Sequence, residues 1–337
     1  VGLGPLVADV ARRTTESFWL RPGPLVVPEA VAGVPADLAR SIEAVVVVAP
    51  VPSLGADSVA APEAVADGLG ASVRAWIAAG PWQVLAQVTS RAEAEAAVAA
   101  GAHGLIASGC EGGGRVGATE AFVLFQQVVD LGVPVWSRGG IGLHTASAVV
   151  AGGGQGVVLD GQLGLLREGG LGVDARQALE AMDGSETRVV GGHRIYTRPD
   201  LPAAALPDDV SAADVAARLG ADLKADLVPF GQDGGFASGL ADRFVTVGGV
   251  VVAVQDAIDD HLAAAAAVPP LAEGRGVAGP HGTRYPIAQG PMTRVSDRAA
   301  FAAAVADGGG LPFLALALLP GAEVRQLLQE TADLLGD

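Results

Sequence analysis

The sequence predicts an α/β fold built from parallel βα units. Three observations carry this. Short apolar runs rich in Val, Leu and Ile alternate with helix-like stretches from about residue 18 to 166. Glycine-rich turns follow two of those runs and lead into helices. Gly (48 of 337 residues) and Ala dominate the composition, as expected where helices lie close against a parallel sheet.

The predicted strands are residues 18–20, 45–48, 84–88, 104–107, 133–137 and 156–159. Helices fit between them. Ser90 and Glu93 form a capping box that opens a helix over 92–100, stopped by Gly101. A second runs over 119–131 and ends at Gly132 and Pro134; a third, over 145–151, ends at Gly152. Six strands are too few to close an eight-stranded barrel, so the beginning of this barrel is expected upstream of Val1, and the chain is expected to be a fragment.

Residues 183–280 differ in character and read as a connector. A proline-rich strap covers 199–207, preceded by His193, Arg194 and Tyr196, and helices are expected over 211–223 and 247–267. From about residue 281 a new β-α-β-α pattern begins. Tyr285-Pro-Ile-Ala-Gln-Gly-Pro-Met292 reads as a strand with a tight turn, and Ser296 as the cap of a helix through Val305. A buried strand over 311–318 and a helix over 321–335 follow. The expected organisation is a barrel over 1–182, a connector over 183–280 and the start of a second barrel over 281–337. A single permuted barrel is the alternative.

The bulk numbers exclude some classes. A net charge of −16 without basic runs argues against nucleic acid. No apolar run reaches membrane-spanning length. The single cysteine, Cys110, rules out an internal disulfide and fits a reducing cytoplasm. No His or carboxylate cluster has metal-ligand spacing. His103, at a helix end, and His261, beside Asp259 and Asp260, read as structural or solvated.

Two loops are the chemical candidates. Arg138-Gly-Gly-Ile-Gly142 follows one strand and feeds a helix, and Asp160-Gly-Gln162 ends the next strand. Adjacent strand-end loops of this kind form a phosphate cradle, because glycines let the backbone approach an anion and a helix N-terminus adds positive charge. His144 stands near that helix start. Gly109-Cys-Glu-Gly-Gly-Gly-Arg-Val-Gly117 is rich enough in glycine to approach a planar ligand, with Glu111 and Arg115 as its polar groups. Arg115 can stabilise a developing anion, or pair with Glu111 at the surface.

These loops resemble those of the nitronate monooxygenase (2-nitropropane dioxygenase-like) family and its relative, the flavin-dependent enoyl-ACP reductase. The correspondence covers about residues 84–168 and 284–318. The words Gly-Gly-Arg-Val-Gly, Gly-Gly-Ile-Gly-Leu-His-Thr-Ala and Gln-Gly-Pro-Met-Thr-Arg-Val-Ser-Asp are similar to the tandem barrels at the front of large type I polyketide synthases. The resemblance implies a TIM-barrel-type fold binding FMN, with a small or carrier-bound acyl substrate and other synthase domains as partners in cis. It implies cofactor contacts from Gln87, Gly113, Gly114, Gly139, Gly140, Ile141, Gly161 and Gln162, from Gln289 and Met292 in the second copy, and chemistry from Arg115 and Glu111. Two positions depart from the family pattern. Arg115 replaces the usual basic histidine, and an arginine takes no proton near neutral pH. Asp160 replaces a glycine beside the phosphate. Ordinary nitronate oxidation by the first barrel is therefore not expected. The alternatives are a degenerate barrel kept as a structural or docking module, and an enoyl reductase.

Overall fold

The computed structural model describes residues 18–20, 42–49 and 62–336. The chain divides into two compact units, residues 1–259 and 260–337. The first is α/β. Its main sheet holds six parallel strands in the order β1 (Phe18–Leu20), β2 (Ile42–Val48), β3 (Gln83–Val88), β4 (Gly104–Ser108), β6 (Val135–Arg138) and β7 (Gly156–Val158). Helices α1 (Pro62–Ala79), α2 (Arg91–Ala99), α3 (Ala121–Val128) and α4 (Ala146–Ala151) connect successive strands. These are TIM-barrel-type βα units, as the alternation of the sequence predicts.

Strand periodicity sorts the side chains onto two faces. Val84, Ala86 and Val88 of β3, Leu105 and Ala107 of β4, and Val135 of β6 belong to the large core that includes Leu69 and Val73 of α1, Ala94 and Ala97 of α2, and Leu124 and Phe125 of α3. The alternate residues Ala44, Val46, Leu85 and Ile106, with Trp136 and Val158, form a separate inner cluster. Continuing each strand on the inner parity gives Gln87, Ser108, Arg138 and Asp160. The C-terminal mouth of the sheet is therefore lined with polar groups, and this is where the two glycine loops also emerge.

Two predicted helices are trimmed, 119–131 to Ala121–Val128 and 211–223 to Ala212–Ala217, whereas 247–267 and 321–335 form as predicted. The capping box at α2 forms by half. Ser90 Oγ accepts from the Glu93 N–H at 3.2 Å, whereas the Glu93 carboxylate accepts from the Thr89 N–H at 2.9 Å, one residue earlier than the motif requires. Ser90→Ala is expected to cost about 1 kcal/mol, read from the denaturant midpoint, because it leaves an N-terminal N–H of α2 without its acceptor.

The stretch read as a connector carries structure of its own. Strands β8 (Thr187–Val190) and β9 (His193–Tyr196) form an antiparallel hairpin. Its two-residue loop is Gly191-Gly192, both at positive φ (51° and 69°), as the tight hairpin turn demands. Strand β9 also pairs with a two-residue strand, β5 (Gly114–Arg115), inside the glycine-rich loop. Helices α5 (Val173–Ala181), α6 (Ala212–Ala217), α7 (Ala237–Phe244) and α8 (Val247–Ala267) complete this part of the chain. Among the described residues no single helix is long and apolar enough to cross a membrane.

The second unit holds α9 (Ala278–His281), α10 (Ala299–Asp307) and α11 (Gly321–Leu335). The strands expected over 285–292 and 311–318 do not form. They reduce to one parallel bridge between Ala288 and Leu311, held by Gln289 N–H to Leu311 O (3.0 Å) and Leu311 N–H to Ile287 O (2.8 Å). Pro286, Pro291 and Pro312 bring no N–H to a ladder, and Leu318, expected to be buried, is 70% exposed. Ser296 does not cap α10 either. Its hydroxyl closes the turn back to the backbone of Met292, and the helix begins three residues later at Ala299, after Arg298.

Candidate functional site

The strand ends of the first unit bring the two loops together. Gly139 (φ 102°) and Gly140 (φ 62°) turn the chain sharply after β6. Any side chain at Gly139 would stand 3.2 Å from Gly112 N and 3.3 Å from a Glu111 carboxylate oxygen, so the loop after β6 lies directly on the loop after β4. Gly139 and Gly140 thus lie against Glu111 and Gly112.

Their polar groups are directed at one another. Gly161 N–H donates to the Asp160 carboxylate. Gly142 N–H donates to Thr145 Oγ1 at 2.9 Å, and the Asp233 carboxyl stands beside Gly161, its buried Oδ1 without a hydrogen-bond partner. Gln162, fully buried, accepts from Asp160 N–H through Oε1 (2.9 Å) and donates through Nε2 to Ile141 O (3.1 Å) and Asp233 Oδ2 (3.2 Å). The Ile141 side chain lies in the main core. Glu111 accepts from Ala121 N–H at 3.1 Å, which caps α3.

Arg138 organises this cluster. It is 4% exposed and donates to Ser108 Oγ (2.6 Å), Gly113 O (2.7 Å) and Asp160 Oδ2 (2.7 Å). Asp233 is as deeply buried and belongs to the 3₁₀ helix Gln232–Phe236, far along the chain. Burial pushes its carboxyl up to about 7, helped by the negative charge of Asp160; the Arg138 guanidinium and the Gly140 N–H pull the other way, and Glu111 adds to the rise.

The glycine-rich loop is covered as well. Gln232 N–H donates to Glu111 O at 2.8 Å. At Gly113 a Cβ would sit 1.9 Å from Pro229 O and 2.8 Å from Gly231 N. Residues 229–236 thus lie on the surface that a planar ligand would need. Gly113→Val is expected to cost about 3 kcal/mol or more in the denaturant midpoint, since a backbone carbonyl occupies the only space for its side chain.

The remaining candidates fall elsewhere. Arg115 is not paired with Glu111. It binds the buried Glu93 carboxylate (Nη1 to Oε2, 3.2 Å) on the β5–β9 ribbon. Gln87 is 2% exposed at the end of β3, and its Nε2 finds no hydrogen-bond partner. Gln289 and Met292 belong to the second unit. Gln289 Oε1 accepts from Phe313 N–H at 3.1 Å, and Met292 is 58% exposed. Arg138 and Asp233 were not among the predicted site residues. Arg138 was signalled by its inward parity with Trp136; Asp233 had no local signal.

An FMN phosphate does not fit this arrangement. The Gly161 N–H and the Arg138 guanidinium that would hold it are both engaged by the Asp160 carboxylate, and the buried Asp233 carboxyl stands beside Gly161. Gln87 Nε2, buried without a partner at the mouth, is compatible with a ring neighbour.

No family model and no curated protein matches the chain. Solved structures do share its fold. FabK from Thermotoga maritima aligns with 77% of the chain and 81% of its own at 20% identity, with a TM-score of 0.56. Nitroalkane oxidase from Streptomyces ansochromogenes aligns over 77% and 94% at 21% identity, with a TM-score of 0.53. The chain therefore shares a βα-barrel-type fold with these two proteins. At this level of identity the likeness is one of architecture.

Proposed function

We propose that the chain is part of an FMN-dependent, nitronate monooxygenase-like oxidoreductase module of a polyketide- or fatty-acid-type synthase, acting on a small or carrier-bound acyl substrate. The observation that supports it is the fold of parallel βα units shared with nitroalkane oxidase and FabK. In this reading the flavin contacts belong to Gln289 and Met292 of the second unit, where Ala288 and Leu311 make the first parallel bridge around α10. The first unit serves as a structural or docking barrel. The engagement of its cradle by Asp160 and Asp233 favours that division.

The test is the visible spectrum of the purified intact protein. A flavin band that is lost on Gln289→Ala is the expected result. A colourless protein that takes up no added FMN contradicts the redox reading. Bleaching of the band by NADPH without oxygen would mark the enoyl reductase alternative.

A further inference from the structure

We infer that residues 229–236 are a permanent internal occupant of the cofactor-type cleft of the first unit, with the Asp233 carboxyl standing where a ligand phosphate would stand. The inference rests on reading the strand-end loops as an anion cradle, as proposed above.

Four contacts define the occupant. The Asp233 carboxyl accepts through Oδ2 from Gln162 Nε2 at 3.2 Å. Its neighbour Gln232 is tied to Glu111 O at 2.8 Å. Pro229 O fills the only space above Gly113. Phe236, 46% exposed, lies near the other end, where a Cβ at Gly142 would be 3.9 Å from its ring. Of the polar atoms that greet a phosphate at a strand-end cradle, the Gly161 N–H and the buried Arg138 guanidinium are both engaged from within the chain, by Asp160.

The fit is close on the far side of the segment too. A Cβ at Gly231 would stand 2.5 Å from Glu111 O, one at Gly234 3.0 Å from Leu179, and one at Gly235 2.9 Å from the Asp183 backbone. A segment that moved aside as a lid would have to break these contacts together. The geometry suits a fixed filler. Charge supports this: a phosphate added beside the Asp160 and Glu111 carboxylates would raise the repulsion in a partly buried place.

The experiment is hydrogen exchange by mass spectrometry on the full chain, with and without FMN or inorganic phosphate. In the wild type neither probe is expected to change exchange over 139–142 or 161–163. In Asp233→Ala, phosphate at about ten times its Kd should slow exchange over 139–142 about tenfold, as ligand linkage requires. Protection of 139–142 by FMN or phosphate in the wild type overturns the inference. So does a folded Asp233→Ala that gains no protection, because the cradle is then no anion site. Asp233→Ser is made alongside; failure of both variants to fold in phosphate buffer also counts against a carboxyl that only holds an anion's place. Flavin bound by the intact protein without any change at 139–142 is a supporting result. A flavin-free protein with an unchanged cradle removes the oxidoreductase reading and leaves this one standing.

Discussion

Arg138→Met is expected to be among the most damaging single substitutions in the first unit, costing about 3–5 kcal/mol. The guanidinium is buried and makes three kinds of contact, to Ser108 Oγ, Gly113 O and the Asp160 carboxylate. Methionine fills much of the volume but supplies no donor. Asp160 then stays partly buried without its cation, and the Gly113 carbonyl loses its donor. Removing one member of a buried pair is costly because the other is left uncompensated. Equilibrium unfolding in denaturant reads this directly. The double variant Arg138→Met, Asp160→Asn should cost less than the sum of the two single changes, since the two side chains touch. A cost for Arg138→Met below about 1 kcal/mol, the range of an exposed pair, would show that Arg138 does not hold the mouth together.

The second large effect depends on pH. Asp233 in the folded chain titrates at about 7 rather than the ordinary 3.8. A carboxyl whose folded pKa is raised favours folding below the unfolded value, and that contribution is lost as pH climbs through the folded one. The window is therefore about pH 4 to 7, and the full difference corresponds to about 4 kcal/mol. A neutral asparagine in its place would carry no such cost. The stability of Asp233→Asn relative to the wild type should rise by up to that amount between pH 4 and pH 8, then level off. Denaturant midpoints for the two proteins across that range provide the measurement. Parallel, pH-independent curves would place the Asp233 carboxyl in water.

Most of the sheet was legible because each strand declares itself. Val84–Val88 and Gly104–Ser108 are buried apolar runs with polar or glycine boundaries, and Gly101, Gly132 and Gly152 mark chain reversals. The close approach of Gly113, Gly139 and Gly140 was legible too, since a crowded turn selects glycine. The second unit was misread where apolar residues did not find a ladder. Leu311 and its neighbours look like a strand by composition, but the prolines at 286 and 312 leave a single bridge. The hairpin at Gly191-Gly192 carried the two-glycine loop signal, which the reading of 183–280 as a connector passed over.

At the site, Asp160 was recognised as out of place, but not what answers it. Its partner Arg138 sits 22 residues earlier, at the end of the neighbouring strand, and only the parallel register brings them together. Asp233 was out of reach for a deeper reason. It sits in a Gln-Asp-Gly-Gly stretch that reads as an exposed turn, and only tertiary structure buries it against Gly140. Arg115 was expected to act in the glycine-rich loop, yet the β5–β9 pairing carries it to Glu93, a residue that had seemed to belong to a capping box.

The most direct test is a crystal structure of the full chain grown with FMN. The account predicts the Asp233 carboxyl on Gln162 Nε2 and the Asp160 carboxylate at the Gly161 N–H, with residues 229–236 over Gly113. A flavin phosphate bound at Gly140 and Gly161, with Asp233 displaced, would contradict it.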